Sequence, residues 1–112
     1  MKTGAFNEAL SMKDKVILVT GAAQGIGWAI ATTFLCQGGT VICVDLHLPN
    51  DQAIASLGDQ VKRLDCYQTD ITDPESVRCL FETITTKYGR VDVLANNAGV
   101  IYKDLIEDME IN

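Results

Sequence analysis

An apolar run that halts at glycine and resumes as a helix limits the fold of this chain more than any other feature. Val16-Ile17-Leu18-Val19 leads into Thr20-Gly21-Ala22-Ala23-Gln24-Gly25-Ile26-Gly27, and helix-compatible residues continue from Trp28 to Gln37. The unbroken apolar run predicts a strand over 15–20 buried on both faces, as in a parallel sheet. Glycines let the main chain approach a ligand with no Cβ in the way. A helix starting there points unpaired N–H groups and the positive end of its dipole at the same spot. Such a turn is an anion site suited to the pyrophosphate of a dinucleotide. No Gly-Lys-Ser/Thr follows, which excludes a P-loop.

The remaining elements alternate. A helix is expected over 25–37, with Ile26, Ile30 and Phe34 recurring every fourth residue and Gly38-Gly39 as its stop. Strand two is expected over 40–45 and a short helix over 49–57. Strand three is expected over 61–67, where Lys62, Arg63 and Asp65 make it half-polar and suit it to a sheet edge. Asp73-Pro74-Glu75 opens a helix, because Asp73 can cap and Pro74 fits the first turn. Val77, Leu80, Phe81, Ile84 and Tyr88 follow at helical spacing, and Gly89 closes the run. Strand four is expected over 91–95 and a short helix over 103–111. This alternation predicts an α/β fold with a doubly wound parallel sheet, order 3-2-1-4, truncated after strand four. Residues 1–12 read as an N-terminal arm and 13–112 as one partial domain.

Bulk properties remove several classes of function. The net charge is -6 and no basic run occurs, which argues against nucleic acid. No stretch approaches the roughly 18 apolar residues of a membrane span. Thr3, Gly4, Asn7 and Glu8 follow Lys2 and leave no room for the apolar core of a secretory signal. Cys36, Cys43, Cys66 and Cys79 lack C-x-x-C spacing and His47 is the only histidine, so a zinc site is poorly supported. Three of the four cysteines sit among apolar neighbours, which predicts reduced buried thiols and a cytoplasmic setting.

Several residues are candidates for ligand contact. Asp45 closes strand two 18 positions after Gly27, where a carboxylate can accept hydrogen bonds from a ribose diol. The same charge repels a 2′-phosphate, and Gln24 rather than a basic residue precedes Gly25, so NAD is favoured over NADP. Asp70 follows strand three on the adenine side of such a site. Asn96-Asn97-Ala98-Gly99 ends strand four, with small residues that admit an adenosine and amides that can tie strands together. His47 reads as a surface side chain, and Trp28 as packing at the start of the first helix.

Together these pieces resemble the short-chain dehydrogenase/reductase family. The resemblance rests on Thr20-Gly21-x-x-x-Gly25-Ile26-Gly27, Asp45, Asp70-Ile71, Gly89-Arg90-Val91-Asp92-Val93-Leu94 and Asn96-Asn97-Ala98-Gly99, and runs from Lys13 to Val100. It implies a Rossmann-like fold and an NAD-dependent oxidoreductase acting on an alcohol or ketone, with a homo-oligomer as the complete protein. By this resemblance the backbone around Gly21, Gln24, Gly25, Ile26 and Gly27 holds the pyrophosphate. Asp45 holds the adenosine ribose with Leu46 nearby, Asp70 and Ile71 flank adenine, and Asn97, Ala98 and Gly99 border the adenosine region.

The catalytic part of that family pattern is missing. It pairs a tyrosine with a lysine four residues on, whose charge lowers the tyrosine pKa. Here Tyr67, Tyr88 and Tyr102 are followed four places later by Ile71, Asp92 and Ile106. Glu110-Ile111-Asn112 resembles the run that carries the family's catalytic asparagine, which makes Asn112 the one catalytic candidate. The expectation is the cofactor-binding portion of a dehydrogenase, inactive alone. A non-catalytic NAD-binding or regulatory module is the main alternative. A methyltransferase using S-adenosylmethionine is a second, disfavoured because its strand four usually ends in a polar-Pro-Pro-aromatic run.

Overall fold

The computed structural model describes residues 11–98. Four strands, β1 (Val16–Thr20), β2 (Thr40–Asp45), β3 (Leu64–Gln68) and β4 (Val93–Asn96), form one parallel sheet in the order β3-β2-β1-β4. The expected fold class and strand order are those observed. β1 lies between β2 and β4, with Thr20 opposite both Val44 and Asn96. Asp45 lies opposite Gln68. Thr20, Asp45 and Asn96 therefore stand at one end of the sheet.

Alternation along the interior strands builds two apolar layers. Val16, Leu18, Ile42 and Val44 face α3 (Pro74–Tyr88) and pack with Val77, Leu80, Phe81 and Ile84. Ile17, Val19, Val41 and Cys43 face α1 (Gly25–Cys36) and pack with Ala31 and Leu35. All five residues of β1 are buried, as its apolar run requires. β3 is only half-buried and lies at an edge, in keeping with its polar content.

The face that α1 turns to the sheet differs from the expected one. Its buried row is Gly27, Ala31 and Leu35. Ile30 and Phe34 pack at the flank, and Ile26 is 73% exposed. Gly27 and Ala31 in that row are small and let the first half of the helix lie close to the strands, and the row is offset by one position from Ile26, Ile30 and Phe34. Trp28 packs against this layer, as expected. Met12, placed by sequence in the arm, also packs against it, and its N–H donates to the Gln37 carbonyl (2.8 Å).

Two strands begin later than the apolar pattern suggests. Residues Gly58–Arg63 wind into a 3-10 turn, from which Arg63 Nη1 donates to the carbonyls of Leu35 (2.8 Å) and Gly39 (2.9 Å). That guanidinium satisfies carbonyls at the C-terminal end of α1, so β3 starts at Leu64. Before β4, Asp92 is committed to the mouth of β1: its Oδ2 accepts from Val16 N and its own N–H donates to Val16 O, both at 2.8 Å. Burial works against ionisation of Asp92, yet the Val16 N–H and the Arg90 guanidinium outweigh it and hold the carboxyl below its ordinary range.

The helix between β2 and β3, α2, is shorter than expected (Asp51–Ala55), with Asn50 Oδ1 accepting from Ala53 N. α3 is capped as expected: Asp73 accepts from Glu75 N (3.2 Å) and Ser76 Oγ (2.7 Å). Its far end is fixed to β3 through Asp65, whose Oδ2 accepts from Lys87 Nζ (2.8 Å), Tyr88 Oη (2.6 Å) and Tyr67 Oη (2.9 Å). Burial raises the Asp65 pKa, but these donors outweigh it and the net shift is downward. Among the described residues no helix is long and apolar enough to cross a membrane. All four cysteines are free; Cys43 is buried, Cys66 is half-buried, and Cys36 and Cys79 are exposed, which corrects the expectation of buried thiols. The expected helix over 103–111 lies outside the described residues.

Candidate functional site

The carboxyl ends of the strands meet the glycine turn around one side chain. Asp45 Oδ2 accepts from Ala23 N (2.9 Å) and Oδ1 from His47 N (3.1 Å). An ionised carboxylate has about four acceptor positions, so two remain for an incoming hydroxyl pair. Thr69 N donates to the Asp45 carbonyl (2.8 Å), which holds the loop after β3 against the end of β2. His47 is exposed, as expected, and only its backbone takes part.

A cleft of about 250 Å³ opens beside Asp45. Six residues selected from the sequence line it: Gly21, Asp45, Leu46, Asp70, Ile71 and Ala98. Gln24, Gly25 and Ile26 lie exposed on the adjoining turn. Nothing stands within 4 Å of where a Cβ on Gly25 would point, so that backbone faces open space. Gly27 is buried instead, and a Cβ there would fall 1.8 Å from the Gly21 carbonyl oxygen. Its role is to let α1 rest directly on the end of β1. Asn97 does not line the cleft; its Nδ2 donates to Gly21 O (3.1 Å) and steadies the turn from beneath. Gly99 and Asn112 lie outside the described residues.

The start of α1 differs from the starts of the other helices. Asn50 and Asp73 cap α2 and α3 with their own side chains. α1 has Gln24 at its cap position with no side-chain hydrogen bond, and no acidic residue in its first turn. A helix leaves its first N–H groups without internal partners. Among the described residues no side chain caps them, while the dipole favours negative charge at the same place. An external anion is the partner this end suits.

Asp70 serves its loop as well as the cleft. Its Oδ1 accepts from Thr72 N (2.9 Å) and Thr72 Oγ1 (2.6 Å), and these bonds to the hydroxyl and the backbone hold its carboxyl below the ordinary range. Thr69 and Thr72 complete the cleft wall and were not selected from the sequence. Thr20 was also missed as a side chain. It is the one buried polar residue among those described; its Oγ1 donates to Asn96 Oδ1 (2.9 Å) and accepts from Ala98 N (3.2 Å). A threonine closing an otherwise apolar strand, just before glycine, was the available signal.

This geometry agrees with what the chain resembles. The short chain dehydrogenase family pattern matches residues 15–112. The chain is 36% identical over 102 residues to the 3-oxoacyl-[acyl-carrier-protein] reductase FabG of Thermotoga maritima, covering 90% of this chain and 42% of that protein. It is 40% identical over 94 residues to human 15-hydroxyprostaglandin dehydrogenase [NAD(+)], covering 81% of this chain and 35% of that protein. Among solved structures, the NADPH-dependent 3-quinuclidinone reductase from Rhodotorula rubra superposes with a TM-score of 0.67 at 30% identity, over 84% of this chain and 36% of that one. The chain belongs to the short chain dehydrogenase family, which displaces the methyltransferase alternative. It spans about two fifths of the length of FabG.

Proposed function

We propose that this chain is the dinucleotide-binding portion of a cytoplasmic, NAD-dependent oxidoreductase acting on an alcohol or ketone. The observation that carries the reading is the bond from Ala23 N to Asp45 Oδ2, because it joins the sugar-selecting acid to the anion-accepting turn. When bound, the nicotinamide ring supplies the site that gives or takes hydride. The chain's own residues bind and orient. The turn from Gly21 to Gly27 and the uncapped start of α1 receive the pyrophosphate. Asp45 accepts from the adenosine ribose, and Asp70 and Ile71 border adenine. Ala98 closes the opposite wall, with Asn97 holding Gly21 in place.

Cofactor choice is argued from Asp45, since relatives named for NAD(+) and for NADPH both resemble the chain. A carboxylate beside the ribose position repels a 2′-phosphate at close range. Calorimetric titration of the folded protein with NADH and NADPH tests this. NADH is expected to bind more tightly. Asp45→Ser is expected to weaken NADH about 10- to 100-fold, equivalent to a charged hydrogen bond of about 1.5–3 kcal/mol, and to narrow the preference. Tighter binding of NADPH by the unsubstituted protein would contradict the assignment.

A further inference from the structure

Cys43 and Cys66 occupy facing positions on neighbouring parallel strands: Cys43 in β2 is the direct partner of Cys66 in β3. Both side chains belong to the α1 face of the sheet, where Cys43 is 1% exposed and Cys66 packs against the same layer while still partly open to solvent. Neighbouring strands are about 4.8 Å apart, within the Cα separation of about 4.4–6.8 Å that a disulfide spans. The other two thiols differ in kind. Cys36, near the end of α1, and Cys79, on α3, are exposed, and neither is registered against another cysteine.

We propose that Cys43 and Cys66 are an oxidisable pair that hydrogen peroxide closes into a cross-strand disulfide between β2 and β3. Partial exposure makes Cys66 the sulfur that meets the oxidant. A hydrogen bond from the Cys43 thiol favours the Cys66 thiolate, whereas that contact and burial disfavour ionisation of Cys43. The Cys66 thiolate attacks one peroxide oxygen; an S–O bond forms, the O–O bond breaks, and the departing hydroxide is protonated to water. The Cys43 thiol then attacks the Cys66 sulfur and loses its proton. The S–O bond breaks, and hydroxide leaves with that proton as a second water. In total two thiols are oxidised to one disulfide and one peroxide is reduced to two waters. Such a bond in a reducing compartment is transient and responsive, not structural. This inference is independent of the cofactor assignment.

The test treats the folded, unsubstituted chain with hydrogen peroxide, alkylates the remaining thiols, and maps peptides without reduction by mass spectrometry. A linked Cys43–Cys66 species is expected, lighter than its two free peptides by two hydrogen atoms and separated again by dithiothreitol, with Cys36 and Cys79 recovered alkylated. In Cys66→Ser, Cys43 is expected to stay reduced at the same dose. Conversion of Cys66 to sulfinic acid beside a reduced Cys43, linkage through Cys36 or Cys79, or a Cys43–Cys66 link that forms only in denaturant would overturn the proposal. The mapping of the unsubstituted chain decides the matter even where the variant does not fold.

Discussion

At Asp45 a strand end and a loop amide are locked together by one hydrogen bond of 2.9 Å. The position of this acid was legible in the sequence, because the apolar run of β2 stops there and a single carboxylate follows. Its bond to Ala23 N was not, since residue spacing does not encode which way a loop amide points. Thr20 escaped for a related reason: its hydroxyl is used across the sheet, with partners 76 and 78 residues away. Gly27 and Gly25 separate two uses of glycine that look identical in the motif. Gly27→Ala drives a methyl into the Gly21 carbonyl and is expected to cost about 3 kcal/mol, the upper end for overpacking against an immovable neighbour. Gly25→Ala meets no atom, but its φ of +62° is unfavourable to a side chain, at about 1 kcal/mol. Urea midpoints for the two variants should fall in that order, and equal midpoints would contradict the packing role assigned to Gly27.

Between elements, partly buried acids hold the ends of strands. Asp92 fixes the start of β1, and Asp65 fixes β3 to the end of α3. Asp92→Ala leaves the Val16 N–H without its acceptor and Arg90 without its ion pair, and is expected to cost about 2 kcal/mol, read as a fall in thermal or urea midpoint. Both carboxyls are depressed in the folded chain. Their contribution is therefore complete above the ordinary unfolded carboxylate pKa of about 3.9 and disappears as pH falls through the lower folded values. Urea unfolding should show stability dropping below about pH 4, with a shallower drop in Asp65→Asn. An unchanged pH profile in that variant would remove Asp65 from the account. Helix faces were harder to read than helix positions. The contact row of α1 is made of Gly27, Ala31 and Leu35, and hydrophobic periodicity weights bulky residues over the small ones that permit close packing. The delayed start of β3 has a similar origin, because Val61 looks strand-like while Arg63 is engaged in closing α1.

For the whole molecule, the parallel sheet and its order followed from alternating strand and helix signals, and the comparisons place the chain in the short chain dehydrogenase family. The cleft draws its walls from residues 21, 45–46, 69–72 and 98, so it exists only once all four strands are in register. Sequence motifs named most of those walls because each sits at the end of a strand, where a parallel sheet gathers its loops. No tyrosine in the chain is followed four places later by lysine. The 112-residue protein is accordingly expected to bind cofactor without turning over, and NADH consumption above background with a panel of ketones would contradict that division of labour. The most direct measurement is an amide NMR titration of the folded protein with NADH. Saturable shifts are expected at Ala22–Gly27, Leu46 and Thr69–Ile71, with little change near Tyr88 at the opposite end of α3. Well-folded protein whose amides do not respond, or respond only away from the glycine turn and Asp45, would contradict it.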